Sequence, residues 1–172
     1  ILIDQLKYIF DNTQIKPKLL DVGCGTGKNL VVFSVYFDAY GEDSSSEAIN
    51  FCRQRELKKI KILDSLDPKL MKNPFHKKFD IITMLDVLEH IQNDAQYLQG
   101  IRKWLKKDGK LLITVPAYQW LWSGEDYVSN HFRRYSKKQL LEIVNRSGFV
   151  INKISYFNTF LFPVQVLILT IK

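Results

Sequence analysis

The chain has 172 residues, 46% of them hydrophobic and 25% charged, which suits one globular domain and excludes a fibrous or disordered protein. The net charge of +7 is compatible with an anionic partner, but the basic residues are dispersed in pairs rather than gathered into a nucleic-acid or membrane tail. Cys24 and Cys52 form no Cys-x-x-Cys pair, so zinc and thioredoxin-type readings find no support and a reducing compartment is expected.

Ile1 to Phe10 places Leu2, Leu6, Ile9 and Phe10 at helical spacing. Pro17 blocks helix ahead of a first strand, Lys18 to Val22. A glycine-rich turn leads into a helix over Asn29 to Phe37, and Phe37 to Glu42 reads as strand two. Ser44 with Glu47 makes a capping box for a helix that puts Ala48, Ile49 and Cys52 on one side. Ile60 to Leu63 is a short third strand, and Asp64 to Lys78, with Pro68 and Pro74, is mostly loop. Phe79 to Leu85 is apolar enough for a central fourth strand. Asn93 or Asp94 caps a helix with Ala95, Leu98, Ile101 and Leu105 inward. Lys107 to Lys110 is a turn, and Lys110 to Val115 is strand five, closed by Pro116. The connection from Pro116 to Tyr135 has no clear period. Ser136 with Gln139 opens a further helix that ends at Gly148, and Phe149 to Tyr156 alternates like a strand.

Strands alternating with helices imply an α/β fold with a mainly parallel sheet and right-handed crossovers. The whole span 1–172 is expected to be a single domain. A start at Ile1 rather than Met, and an apolar stretch that stops at Lys172, give the expectation of a chain trimmed at both ends.

The residues with most chemical meaning are Asp21-Val22-Gly23-Cys24-Gly25-Thr26-Gly27. Glycine supplies the positive φ that a tight strand-to-helix turn needs, and it lets a ligand approach the backbone. Asp21 sits where open α/β sheets bind ligands. The closing position of a dinucleotide fingerprint would be Gly or Ala, but here it is Lys28. Asp43, at the end of strand two, is placed to accept hydrogen bonds from both ribose hydroxyls of a nucleotide. A second use for it is to favour the helix that follows through the dipole. After strand four comes Asp86-Val87-Leu88-Glu89-His90, at the mouth of the same crevice.

Taken together, Asp21 to Gly27, Gly41-Glu42-Asp43-Ser44, Phe79 to Ile91 and Leu105 to Ile113 strongly resemble the ordered motifs of class I S-adenosylmethionine (SAM)-dependent methyltransferases. The resemblance covers most of residues 18 to 115, with Lys107 and Asp108 in place of the usual Pro and Gly of a turn. It implies a Rossmann-like fold of seven strands flanked by helices, and a methyltransferase that uses SAM and releases S-adenosylhomocysteine. It also implies that Asp21 lies near the methionine end of the cofactor, Asp43 on the ribose and Met84, Leu85 and Asp86 along a wall of the site, with Gly23, Cys24, Gly25, Gly27 and Ser44 also cofactor-binding. Asp64 is placed to reach the adenine amino group, with Ser65 beside the base, although a plain loop acid is an equal reading. His90 points to the substrate side or serves the fold.

The stretch after strand five looks like a subfamily of small-molecule or envelope-associated methyltransferases with a Pro-Ala…Trp-Ser…Asp…His-x-Arg-Arg-Tyr pattern. Tyr118, Trp120, Trp122 and Tyr135 would enclose an apolar or planar acceptor, and Arg133 and Arg134 would clamp a phosphate or carboxylate. His131 is the candidate base if the acceptor is a hydroxyl. The competing reading is a loop folded on itself, with the aromatic rings as its core and the arginines in solvent, and it is favoured for at least one arginine. The expected activity is methyl transfer, mainly O-methylation, to a small-molecule, lipid-linked or glycan acceptor, with no metal. The alternatives are an RNA or protein methyltransferase and a non-catalytic SAM-binding module. Phe157 to Ile171 is too short to span a membrane and is read as a strand, a dimer contact or a peripheral membrane contact. A cytoplasmic location is expected, with nucleic acid the less favoured partner.

Overall fold

The computed structural model describes residues 16–54, 61–63, 78–157 and 162. The helix expected over Ile1 to Phe10, the loop from Asp64 and most of the apolar end lie outside them. The chain divides into two compact units, Ile1–Val87 with Gly100–Thr114, and Leu88–Gln99 with Val115–Lys172.

The first unit holds β1 (Lys18–Val22), α1 (Lys28–Tyr36), β2 (Asp38–Glu42), α2 (Ser46–Gln54), β3 (Lys61–Leu63), β4 (Phe79–Leu85) and β5 (Leu105–Thr114). They form a five-stranded sheet in the order β3-β2-β1-β4-β5, every pair parallel. β1 is buried on both faces, which is why Leu19, Leu20 and Val22 read as a continuous apolar run rather than an alternation. Leu19, Ala39 and Ile81 from three strands join Leu30 and Phe33 of α1 and Ile49 and Cys52 of α2 in one core. Gly41 makes that closure possible, because a Cβ there would collide with Leu30 and come within 3.0 Å of the Cys24 sulfur.

Several expectations are corrected here. Among the described residues the sheet has five strands. The α2 cap is Ser45 rather than Ser44. Asp43 accepts from the Ser45 N–H at 2.8 Å, and the Ser45 hydroxyl then accepts from the Ala48 N–H at 3.2 Å. β5 begins at Leu105, a residue expected on the preceding helix. Phe79 pairs with Leu105 and Ile81 with Lys110, so the expected turn survives as a bulge inside the strand.

The second unit contains a 3-10 turn (Leu88–His90), a second 3-10 turn (Gln119–Leu121), α4 (Gly124–Val128) and α5 (Lys137–Arg146). α3 (Asp94–Trp104) starts in this unit and runs into the first. The aperiodic connection is stapled at its ends: the Tyr118 N–H donates to the Tyr135 carbonyl at 3.1 Å, and the Tyr135 N–H to the Pro116 carbonyl at 3.0 Å. Ser136 caps α5 by accepting from the Gln139 N–H, while its own N–H donates to the Gln139 side chain, as the capping box predicts. Phe149 to Tyr156 forms no strand. Alternation marks a strand only where a neighbour takes up the backbone groups, and here Val150 stands 88% exposed. Among the described residues no helix is long and apolar enough to cross a membrane.

Candidate functional site

In the first unit the chain leaves β1 through Gly23 (φ 69°) and Gly25 (φ 53°), in the left-handed region that glycine favours. A Cβ on Gly23 would meet Val87 at 2.5 Å, so that glycine serves packing. A Cβ on Gly25 would meet nothing within 4 Å, so that glycine opens backbone to a ligand. Asp43 ties the turn to the end of β2. Its Oδ2 accepts from the Gly25 N–H at 2.8 Å while its Oδ1 holds Ser45, which leaves lone pairs on each oxygen for further donors. Ser44 beside it is exposed. Gly27, also left-handed, heads α1 without a side-chain cap.

Asp21 is 1% exposed. Its Oδ1 accepts from the Thr83 hydroxyl at 2.6 Å, and its Oδ2 has no hydrogen-bond partner. Burial pushes its carboxyl up to about 6 against the opposing Thr83 hydrogen bond, and the nearby Asp43 charge adds to the rise. A buried carboxylate oxygen without a donor, close to an open glycine turn, fits a ligand that brings a cation to the end of β1. Burial likewise pushes the Cys24 thiol up, with Cys52 and the two acids adding to it, so Cys24 is a packing residue rather than a nucleophile.

Met84 is fully buried within β4, opposite Val22. Leu85 is half-buried against the core, and Asp86 is exposed with a φ of 56°. Thr114 at the end of β5 secures Asp86: its hydroxyl donates to Oδ1 at 3.1 Å, and its carbonyl accepts from the Asp86 N–H at 3.1 Å. Asp64 and Ser65 lie outside the described residues.

The second unit is organised by Asp126, which is fully buried. Arg134 grips it with a two-pronged fork, Nε to Oδ1 and Nη2 to Oδ2, both at 2.8 Å. The Ser123 N–H donates to Oδ2 at 2.8 Å, and the His131 Nδ1 lies 2.8 Å from Oδ1. Burial alone would raise this carboxyl, but Arg134, His131 and Ser123 together hold it well below the usual carboxylate range. An ionised carboxylate only accepts, so Nδ1 of His131 is the donor, and in the neutral imidazole Nε2 presents a lone pair. The His90 ring stands edge-on to His131, with centroids 4.6 Å apart.

The remaining expected substrate residues are distributed unevenly. Arg134 is spent on Asp126. Arg133 pairs with Asp94 at 2.7 Å and donates to the Gln92 carbonyl at 2.9 Å, so both guanidiniums are engaged within the protein. Tyr135 is buried, its hydroxyl 3.0 Å from Asp94 and 3.2 Å from the Leu88 carbonyl. Tyr118 stacks on Tyr156 and lies beside Trp120 and Phe162, and Trp120 is 63% exposed. Trp122 packs edge-on against Tyr127.

A family model described as "Methyltransferase domain" matches residues 1–154. The chain belongs to the methyltransferase-domain family. It is 31% identical over 144 residues to the ubiquinone biosynthesis O-methyltransferase of Glaesserella parasuis serovar 5, covering 72% of this chain and 58% of that protein. It is 32% identical over 117 residues to phosphoethanolamine N-methyltransferase 3 of Arabidopsis thaliana, covering 65% of this chain and 24% of that one. Among solved structures, the SAM complex of Haemonchus contortus phosphoethanolamine N-methyltransferase 2 superposes with a TM-score of 0.71 at 22% identity, over 96% of this chain and 40% of that one. The chain thus spans little more than half the length of the first of these relatives.

Within this methyltransferase domain, three residues that matter to the candidate site were not singled out as site residues in the sequence. Thr83 orients Asp21 from the neighbouring strand, and only the β1–β4 register reveals it. Glu89 is 1% exposed beside His90. Asp126 was legible in part, since Ser123-x-x-Asp126 has the spacing of a helix start. Its larger role needs His131 and Arg134 to fold back onto it.

Proposed function

We propose that this domain transfers a methyl group from SAM to a hydroxyl of a small-molecule acceptor. The observation that carries the cofactor assignment is the pairing of Asp43, clamped to the open glycine turn, with the partnerless buried oxygen of Asp21. Asp43 would accept from the ribose hydroxyls and Asp21 from the methionine ammonium. SAM, when bound, supplies an activated methyl on a sulfonium. The residues therefore need only bind and orient donor and acceptor and manage one proton.

The proton argues for a hydroxyl. A phenol or alcohol must lose it as the C–O bond forms and the C–S bond breaks, and His131, oriented by Asp126, offers Nε2 to receive it. The exposed rings of Trp120 and Tyr156 and the adjacent Tyr118 offer flat apolar surface to a planar or apolar acceptor. The ubiquinone-pathway and phosphoethanolamine relatives support the small-molecule class, and the first supports oxygen as the target.

A labelled-methyl screen across phenols, catechols, aminoalcohol phosphates, lipid and glycan extracts, RNA and protein tests this. Label is expected in hydroxyl acceptors, with His131→Gln lowering the rate by about 10²–10⁴-fold. Label confined to RNA or protein would overturn the acceptor class.

The Asp21 carboxyl supplies a pH signature. Its value of about 6 in the folded chain lies above the ordinary 3.8, so its contribution to stability is greatest below 3.8 and is lost as pH rises through about 6. Cofactor binding runs the other way, because the ammonium needs the ionised form. SAM affinity is expected to climb as pH passes about 6 and then level off, whereas Asp21→Asn binds weakly at every pH. A flat wild-type profile in calorimetry from pH 5 to 8 would remove the Asp21–ammonium pairing.

A further inference from the structure

We propose that Glu89, His90 and His131 form a binding site for a divalent first-row transition ion of the zinc class. Each offers one ligand atom, and these atoms lie within 4.8 Å of one another. Ligands on a tetrahedral ion with bonds of about 2.0–2.2 Å sit roughly 3.3–3.6 Å apart, so binding an ion would draw the set in by up to about 1.5 Å. The two imidazoles with one carboxylate select zinc, cobalt or iron over magnesium and calcium, which prefer all-oxygen shells.

The support behind these three ligands is what separates them from a chance cluster. Metal-bound histidines generally donate the other ring N–H to a carboxylate, which fixes the tautomer and the ring plane. His131 does this to Asp126 at 2.8 Å, and Asp126 is itself immobilised by the Arg134 fork and the Ser123 N–H. The two ligand-bearing segments are also joined through the backbone. The Phe132 N–H, next to His131, donates to the Glu89 carbonyl at 2.8 Å, and the Ile91 N–H closes the 3-10 turn onto Leu88 at 3.1 Å. Burial is graded across the set: Glu89 is buried, His131 half-buried and His90 exposed. An ion there would have protein on one side and open positions on the other, the arrangement of a catalytic rather than a structural site. An acceptor oxygen taking an open position would give up its proton more readily, and the ion would then replace His131 as the proton-releasing device. That use rests on the hydroxyl-acceptor reading, whereas ion binding does not.

The test is a cobalt titration of the chelator-treated protein, followed by visible absorption and by calorimetry with zinc as competitor. Saturable d–d bands of a four- or five-coordinate ion are expected, displaced by zinc. His90→Ala, at an exposed position, and His131→Ala should each lower cobalt affinity by at least about 10–100-fold, with circular dichroism on both variants to check the fold. SAM binding is measured on the same samples, so that loss of the cofactor site is seen separately. Absence of the bands, or equal cobalt affinity in wild type and both variants, would overturn the site. Methyl transfer to a hydroxyl that survives chelation and still falls in His131→Gln would overturn the catalytic use of the ion.

Discussion

Asp126→Ala is expected to destabilise the second unit by about 3–5 kcal/mol, the cost of leaving one member of a buried ion pair without its partner. Arg134 is 8% exposed, and both prongs of its guanidinium end on Asp126. Removing the carboxylate strands that cation, together with the Ser123 N–H and the His131 Nδ1–H. Asp126→Asn keeps the shape but loses the charge and half the fork, so an intermediate loss is expected. The effect also has a pH signature. The Asp126 carboxyl lies well below its ordinary 3.8, so its stabilising contribution is complete above 3.8 and drains away as pH falls further. The gap between wild type and Asp126→Asn should therefore narrow on acidification. Thermal melts at neutral pH should show a drop in Tm on the order of 10 °C for Asp126→Ala. A melt indistinguishable from wild type would show that Arg134 finds another partner and that Asp126 does not organise the unit.

Asp43→Ala is expected to weaken SAM binding by at least about 100-fold, since two charge-assisted hydrogen bonds of roughly 1.5–3 kcal/mol each would be lost. Asp43 acts twice. It is placed to hold the ribose, and it also holds the turn through the Gly25 N–H. Asp43→Asn is the milder change, because its one amide oxygen can still accept from Gly25 or from Ser45, though not from both, while its NH₂ cannot accept from a ribose hydroxyl. That variant should keep the fold and lose about 10-fold in affinity. Calorimetry with SAM, alongside circular dichroism for the fold, decides it. Wild-type affinity in Asp43→Ala would remove the ribose assignment.

The parts of this molecule legible in the sequence are those set by local chemistry. β1 and β4 could be bounded because a buried parallel strand is a run of apolar residues, and Ser136 because a cap and its box partner lie three residues apart. Asp43 was singled out as a candidate from its place after strand two. Ser45 was missed as the α2 cap because Asp43 competes for its N–H, a contact that exists only once the turn is built. The misread strand at Phe149 to Tyr156 shows the same limit, since alternation describes a face but says nothing of a neighbour. Arg133 and Arg134 looked alike in sequence, each a candidate for the substrate clamp, with a structural role favoured for at least one of them. They separate only when Asp94 and Asp126 come to them, from 39 and 8 residues away.

The sheet order has a consequence for how the chain is made. β1, β2 and β3 lie side by side in the order in which they leave the ribosome, so they can pair as they emerge. The other edge of β1 must wait for β4, whose Ile81 and Ile82 align with Leu19 and Leu20 more than sixty residues upstream. Until then an apolar strand edge stands open, the kind of surface on which nascent chains associate. Asp80 closes the interval with polar contacts, accepting from the Lys18 N–H at 2.9 Å and from the Lys106 ammonium at 2.7 Å, and so links β1, β4 and β5. The strand that carries Asp21 thus keeps one edge open until β4 is made, and β4 in turn waits for β5.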